Sequence, residues 1–161
     1  MRNIGYMIVG VWVCFVAEYF LAQSVPVWLR PNFLLLLMVF FNLYRGIRHS
    51  LLVGFLAGLV KDCFAPGLFG LNIFSFMVCA YLVTFLKMYI YETGSGPSRM
   101  LLVLLITFLY VLVEMFSRMM FIPVDVWGVV SRVMLPQIFA TTIVSVYVLK
   151  IFRQCALKLF A

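Results

Sequence analysis

Six apolar runs, separated by proline, glycine or charged residues, leave this chain few possible folds. Hydrophobic residues make up 66% of the 161 positions and charged residues only 11%, whereas about a quarter of a soluble domain is charged. A helix needs ~20 residues to cross a hydrocarbon core of ~30 Å. We therefore predict an all-α integral membrane protein, a six-helix transmembrane bundle that occupies residues 1–161 as a single transmembrane domain without an appended soluble domain.

The predicted spans cover residues 4–22, 27–44, 50–65, 68–91, 100–122 and 126–152. Their orientation follows from the excess of Lys and Arg that short cytoplasmic loops carry. With six spans, one side of the membrane holds both termini and eight basic residues: Arg2, Arg45, Arg48, Lys87, Arg99, Lys150, Arg153 and Lys158. Both termini are therefore expected in the cytoplasm. We expect five of these residues, Arg45, Arg48, Lys150, Arg153 and Lys158, to face anionic lipids.

The charges that remain on the other half of the bundle sum to zero. They are four acidic and four basic residues: Glu18, Arg30, Lys61, Asp62, Glu114, Arg118, Asp125 and Arg132. At ~1.5 Å per residue, Glu18, Lys61, Asp62 and Glu114 lie roughly 17–21 Å from the cytoplasmic helix ends. An ion in hydrocarbon costs at least ~2.5 kcal/mol, so it faces the bundle interior and finds a partner. We predict buried charges at five positions: Glu18, Lys61, Glu114, Arg118 and Arg132.

The third span carries the most informative pattern. Gly54, Gly58 and Asp62 recur every four residues and therefore share one face of the helix. Two glycines allow a neighbouring helix to approach closely. Ordinary close packing within the bundle explains the glycines as well as contact with a partner does. Three partners remain open for Asp62: Lys61, Arg30, or the broken backbone at Pro66 and Gly67. On the fifth span, Glu114 and Arg118 are four residues apart and can pair.

Nothing in the sequence has the pattern of a catalytic, cofactor or metal site. His49 is the one histidine and stands beside Arg48. No Ser or Cys has a histidine in its own span, and no glycine-rich loop precedes a helix in a phosphate-binding pattern. We expect no enzyme activity, no cofactor and no nucleic-acid partner.

Several motifs of the chain together resemble those of a known family. They are the segment Gly54-Phe55-x-x-Gly58-x-x-x-Asp62, the Gly70 that follows it, Arg30-Pro31-Asn32 at the head of the second span, Pro136, and the basic tail from Lys150 to Lys158. In these motifs, and in length and span number, the chain resembles MreD, the integral membrane subunit of the bacterial rod-shape machinery. Eight residues of these motifs are our candidates for helix packing or partner contact: Arg30, Pro31, Asn32, Gly54, Phe55, Gly58, Asp62 and Gly70.

The resemblance implies a fold and a set of partners. The fold would be similar to the S-components, or substrate-capture subunits, of energy-coupling-factor vitamin transporters. The function would be a non-enzymatic scaffold of the elongation complex in the bacterial inner membrane. It would bind MreC and, through MreC or directly, MreB, RodA and a class B penicillin-binding protein, and so help to organise peptidoglycan synthesis and cell shape.

A second hypothesis is a small-solute transporter or substrate-capture subunit. In that case the charges of the outer half would line a ligand pocket, and a broken helix would direct its dipole at the ligand. A solute site leaves some charges unpaired in a cavity open to water. A scaffold pairs them internally or with its partner.

Overall fold

The computed structural model describes residues 2–26, 30–64, 69–90, 96–119 and 135–160, and within these ranges it contains six α-helices and no strand. The helices are α1 (Arg2–Ser24), α2 (Phe33–Arg45), α3 (Ile47–Phe64), α4 (Leu71–Ile90), α5 (Gly96–Met119) and α6 (Leu135–Phe160). Three of them, α1, α4 and α5, are long and apolar enough to cross a membrane. The described part of the chain is therefore an all-helical bundle of membrane-protein character.

Two helices differ from the predicted spans by more than five residues at one end, α2 at its start and α6 at its end. Residues 30–32 are not helical, and α2 begins at Phe33 rather than near residue 27. Pro31 disfavours a helical conformation in the residue before it. Asn32 then caps the helix, since its side chain accepts a hydrogen bond from the Leu35 N–H. At the other end of the chain, α6 continues to Phe160, eight residues beyond the predicted span, and the predicted start at 126 lies outside the described residues.

The short helix α2 forms the centre of the bundle. Every residue from Leu34 to Leu43 is buried, as expected for a helix that is apolar on all sides. It packs against α1, α3, α4, α5 and α6. With 13 residues it is only ~20 Å long. It therefore serves as the core of the bundle rather than as part of its lipid-facing wall.

The surrounding helices bury one face and expose the other. On α4, Phe76, Cys79, Ala80 and Val83 are buried, at the spacing of one helix face. The opposite face of α4 exposes large apolar side chains: Phe74, Met77, Tyr81, Phe85 and Met88. Such a continuous apolar surface is suited to contact with lipid. This arrangement brings one end of α3 against the start of α4, where the candidate site lies.

Candidate functional site

Gly54, Gly58 and Asp62 form a buried stripe on α3 that lies against α4. A Cβ atom at Gly58 would stand 2.4 Å from the Cα atom and 2.7 Å from the N atom of Ile73. A Cβ atom at Gly54 would stand 3.4 Å from the backbone oxygen of Phe76, an ordinary contact distance. The glycine at position 58 is thus the one that the approach of the two helices requires.

The carboxylate of Asp62 binds the amino-terminal end of α4. Its two oxygens accept hydrogen bonds from the backbone N–H groups of Gly70 (3.0 Å), Asn72 (3.1 Å) and Ile73 (3.1 Å). The side-chain amide of Asn72 donates a fourth at 2.9 Å. Gly70 has a φ of +104°, a conformation that favours glycine. A carboxylate at this position satisfies N–H groups that have no partner within the helix and opposes the positive end of the helix dipole.

The sequence left three possible partners open for Asp62. The structure shows that Asp62 binds backbone N–H groups that follow Pro66 and Gly67 in the chain. Pro66 and Gly67 themselves lie outside the described residues. Arg30 instead binds the end of α1, where its guanidinium donates to the carbonyl oxygens of Val25 at 3.1 Å and of Ala22 at 2.5 Å. A cation at a helix carboxyl terminus is favourable for the same electrostatic reason that an anion is at the amino terminus.

Lys61 forms an ion pair with Glu18 of α1, with 2.9 Å between the ammonium nitrogen and a carboxylate oxygen. Only 19% and 20% of the two side chains are exposed. The ammonium group also lies 5.5 Å from the ring centre of Phe76 and 5.8 Å from that of Tyr110, within the range of cation–π attraction. The sequence did not predict this pair, because the similar depth of Glu18 and Lys61 is compatible with a contact but does not identify one.

Glu18 also reaches the start of α2. Its second carboxylate oxygen lies 3.5 Å from the N–H of Leu34, which is a long hydrogen bond. Nearby, the Asn32 N–H donates to the hydroxyl of Thr141 on α6 at 3.4 Å. We use the name ionic layer for Glu18, Arg30, Lys61 and Asp62. Through these residues the layer connects α1, α2, α3 and α4.

The other predicted site residues have different positions. Phe55 is exposed on α3, whereas Pro31 is buried before α2. Glu114 is half-buried on α5 and makes an electrostatic or hydrogen-bonding contact of its own. Arg132 and the side chains of Arg118, Arg153 and Lys158 lie outside the part that the structure describes. The Glu114–Arg118 pair therefore stays a prediction.

The opposite end of the bundle is basic. The Lys87 ammonium on α4 donates to the carbonyl oxygens of Asn42 (3.2 Å) and Leu43 (3.0 Å) at the end of α2. The Arg99 guanidinium on α5 donates to the hydroxyl of Tyr44 at 3.4 Å. Arg45 ends α2, and Arg48 is exposed on the first turn of α3. We use the name basic end for Arg45, Arg48, Lys87 and Arg99.

The geometry of the ionic layer suits mechanical connection rather than catalysis. Its charges bind one another or helix termini, and the described residues contain no group of three or more His, Cys, Asp or Glu side chains that could hold a metal ion. The family model for the rod shape-determining protein MreD matches residues 1–155. The chain belongs to the MreD family. This is a family of shape-determining membrane proteins and not a known enzyme family.

No curated protein and no solved structure matches the chain. The likeness to transporter S-components therefore stays a prediction. The family match over residues 1–155 supports a role in rod-shape determination.

Proposed function

We propose that the chain is a non-enzymatic scaffold of the bacterial elongation complex, or elongasome. In this proposal it is a multi-pass protein of the inner membrane with both termini in the cytoplasm. It binds MreC and, through MreC or directly, MreB, RodA and a class B penicillin-binding protein, and it helps to organise peptidoglycan synthesis. The observation that carries the proposal is membership of the MreD family over residues 1–155.

The state of the ionic layer supports a scaffold over a solute transporter. Glu18 and Lys61 neutralise each other, Asp62 is bound by four donors, and Arg30 is bound by two carbonyl oxygens. A solute site needs charged groups that can exchange a protein partner for a ligand. Groups that are already bound to helix ends hold those helices in one arrangement instead. A scaffold requires this property, because a preformed surface binds a partner at a lower entropic cost.

The direct test is capture of MreC from the same organism by the tagged full-length chain, after co-expression and extraction in mild detergent. We expect the wild-type chain to recover MreC. Asp62→Asn keeps the shape of the side chain but removes its charge, so it should loosen the α3–α4 contact and lower the recovered MreC several-fold. The matched control is Arg48→Gln, which removes one charge at the basic end and should leave the recovery unchanged.

Two outcomes would contradict the scaffold. One is a wild-type chain that is well folded but recovers no MreC. The other is an Asp62→Asn variant that keeps MreC but loses uptake or binding of a small solute, which would support the transporter hypothesis. In cells, depletion of the chain should change rods into rounded cells. Wild-type protein should restore the rod shape, and Gly58→Leu, which forces α3 and α4 apart, should not.

A further inference from the structure

The side-chain amide of Asn32 is a buried donor without an acceptor. Asn32 is 2% exposed, and in the described part of the chain its Nδ2 atom has no hydrogen-bond partner. The oxygen of the same amide accepts from the Leu35 N–H, which fixes the orientation of the amide. Buried polar groups almost always have a partner, either in the protein or in ordered water. We propose that a water molecule binds at the start of α2 and accepts a hydrogen bond from Asn32.

The Glu18 carboxylate, beside the same turn of α2, lacks a good donor. One of its oxygens binds Lys61 at 2.9 Å, and among the described residues the other oxygen has only the 3.5 Å contact with the Leu34 N–H. A normal N–H to oxygen hydrogen bond measures ~2.7–3.2 Å. Leu34 directly precedes Leu35, the residue whose N–H Asn32 caps. The carboxylate, which needs a donor, and the amide, which needs an acceptor, therefore meet neighbouring N–H groups of one helix turn.

A third polar group is the hydroxyl of Tyr110 on α5, which lies near the Asn32 side chain. Tyr110 is also 2% exposed, and no hydrogen bond of normal length and angle joins it to the Asn32 amide nitrogen. A buried water typically makes about three hydrogen bonds. In our proposal it accepts from Asn32, donates to Glu18 and shares a hydrogen bond with Tyr110. It thus connects α1, α2 and α5 where direct hydrogen bonds are missing.

The chemistry of these three groups selects water over other ligands. The ligand must accept from an amide and donate to a carboxylate, so it needs a donor and an acceptor on a small neutral group. An anion would be repelled by Glu18, a cation would face the positive end of the amide N–H bonds, and an apolar group would leave the amide unsatisfied. An alcohol offers the same hydroxyl chemistry as water. Its carbon atoms, however, would displace packed side chains around Asn32, because protein interiors contain few voids larger than a water molecule.

Asn42 is a matched control for Asn32. It is the buried asparagine within α2 and is 1% exposed. Its Nδ2 atom donates to the carbonyl oxygen of Ala80 and to the hydroxyl of Thr84, both at 2.9 Å. The two asparagines thus share residue type and burial, but only the Asn32 amide needs an acceptor from outside the protein.

The direct test is a crystal structure of the full-length chain, grown in lipid without alcohols or polyols, at a resolution that shows ordered water. We expect a water ~2.7–3.2 Å from the Nδ2 atom of Asn32 and none bound to the Nδ2 atom of Asn42. An Asn32 amide without a water would overturn the proposal. Density that appears at Asn32 only after glycerol is added would overturn it as well, because the site would then belong to an alcohol.

X-ray footprinting in detergent is a second test, because X-rays form hydroxyl radicals from bound water and these oxidise the side chains beside it. We expect Tyr110 to be oxidised several-fold more slowly in Asn32→Leu, which removes the amide at similar size, than in the wild-type chain. Asn42→Leu should leave the oxidation rate of Tyr110 unchanged. Thermal unfolding identifies which variants are folded. A folded Asn32→Leu variant that keeps the wild-type rate at Tyr110, or exceeds it, would show that Asn32 holds no water there.

Discussion

Replacing Gly58 by alanine is the sharpest test of the α3–α4 contact. In most helices this change is favourable by ~0.5–1 kcal/mol, because alanine loses less backbone entropy on folding. Here the new Cβ atom would stand 2.4 Å from the Cα atom of Ile73, while carbon atoms in contact prefer ~3.5–4.0 Å. The start of α4 must therefore retreat by about 1 Å. The neighbouring atoms belong to backbone, so no side-chain rotation can relieve the clash.

The retreat also affects Asp62, because its hydrogen bonds end on the same turn of α4. At least one of the bonds of 3.0–3.1 Å to Gly70, Asn72 and Ile73 would lengthen beyond the useful range. Overpacking costs ~1–3 kcal/mol, and each hydrogen bond to a charged group contributes ~1.5–3 kcal/mol. With one such hydrogen bond lost, and after the gain in helix propensity is subtracted, we expect a loss of about 3 kcal/mol, or about 6–12 °C in the unfolding temperature.

The assay is thermal unfolding of the purified chain in detergent, followed by tryptophan fluorescence, with two other Gly-to-Ala variants as controls. A Cβ atom at Gly54 meets its nearest neighbour at 3.4 Å, and one at Gly10 meets the flexible Leu37 side chain at 3.8 Å. We expect Gly54→Ala to leave the unfolding temperature nearly unchanged and Gly10→Ala to raise it slightly. If Gly58→Ala proved as stable as Gly10→Ala, the close contact between α3 and α4 would be refuted.

Three further predictions concern charges and orientation. The ion pair between Glu18 and Lys61 should give a coupling energy of ~1–3 kcal/mol in a double-mutant cycle with Glu18→Gln and Lys61→Met, and a coupling near zero in thermal unfolding would show that the pair does not stabilise the fold. Asp62→Asn should lower stability by about 2 kcal/mol, because its amide turns N–H groups toward the donors of α4, whereas a variant as stable as wild type in the same assay would exclude the capping role. A reporter enzyme that works only in the cytoplasm should be active when it is fused after residue 161. A periplasmic signal would overturn the predicted orientation.

The spacing in the sequence is enough to place Gly54, Gly58 and Asp62 on one face of α3, because this information is local. The four-residue spacing of Gly54, Gly58 and Asp62 defines a helix face without reference to the rest of the fold. It could not choose the partner of Asp62, because that choice depends on where α4 begins in space. Lys61 is adjacent in sequence but points to Glu18 instead. Adjacent residues on a helix are about 100° apart around its axis, so a neighbour in sequence is a poor candidate for an ion pair.

The start of α2 shows a different limit. Hydropathy extends the second span to residue 27, because it counts apolar residues without regard to backbone conformation. The capping signal of Pro31 and Asn32 was present in the sequence and marks the helix start correctly. The sequence could not predict the Glu18–Lys61 pair, for a third reason. Depth along the membrane can be counted from residue numbers, but the rotation of one helix relative to another cannot.

The short central helix has a consequence for how the chain enters the membrane during synthesis. α1, α4 and α5 are each acceptable to the bilayer on their own. With a length of ~20 Å, α2 is shorter than the ~30 Å hydrocarbon core. The next helix, α3, carries two charged residues, Lys61 and Asp62. Lys61 can find Glu18, which was made earlier, but the donors for Asp62 lie on α4, which the ribosome makes later. The carboxylate of Asp62 therefore gains its backbone donors only after the first turn of α4 has been synthesised, and a nascent chain that ends before Gly70 holds a carboxylate whose donors do not yet exist.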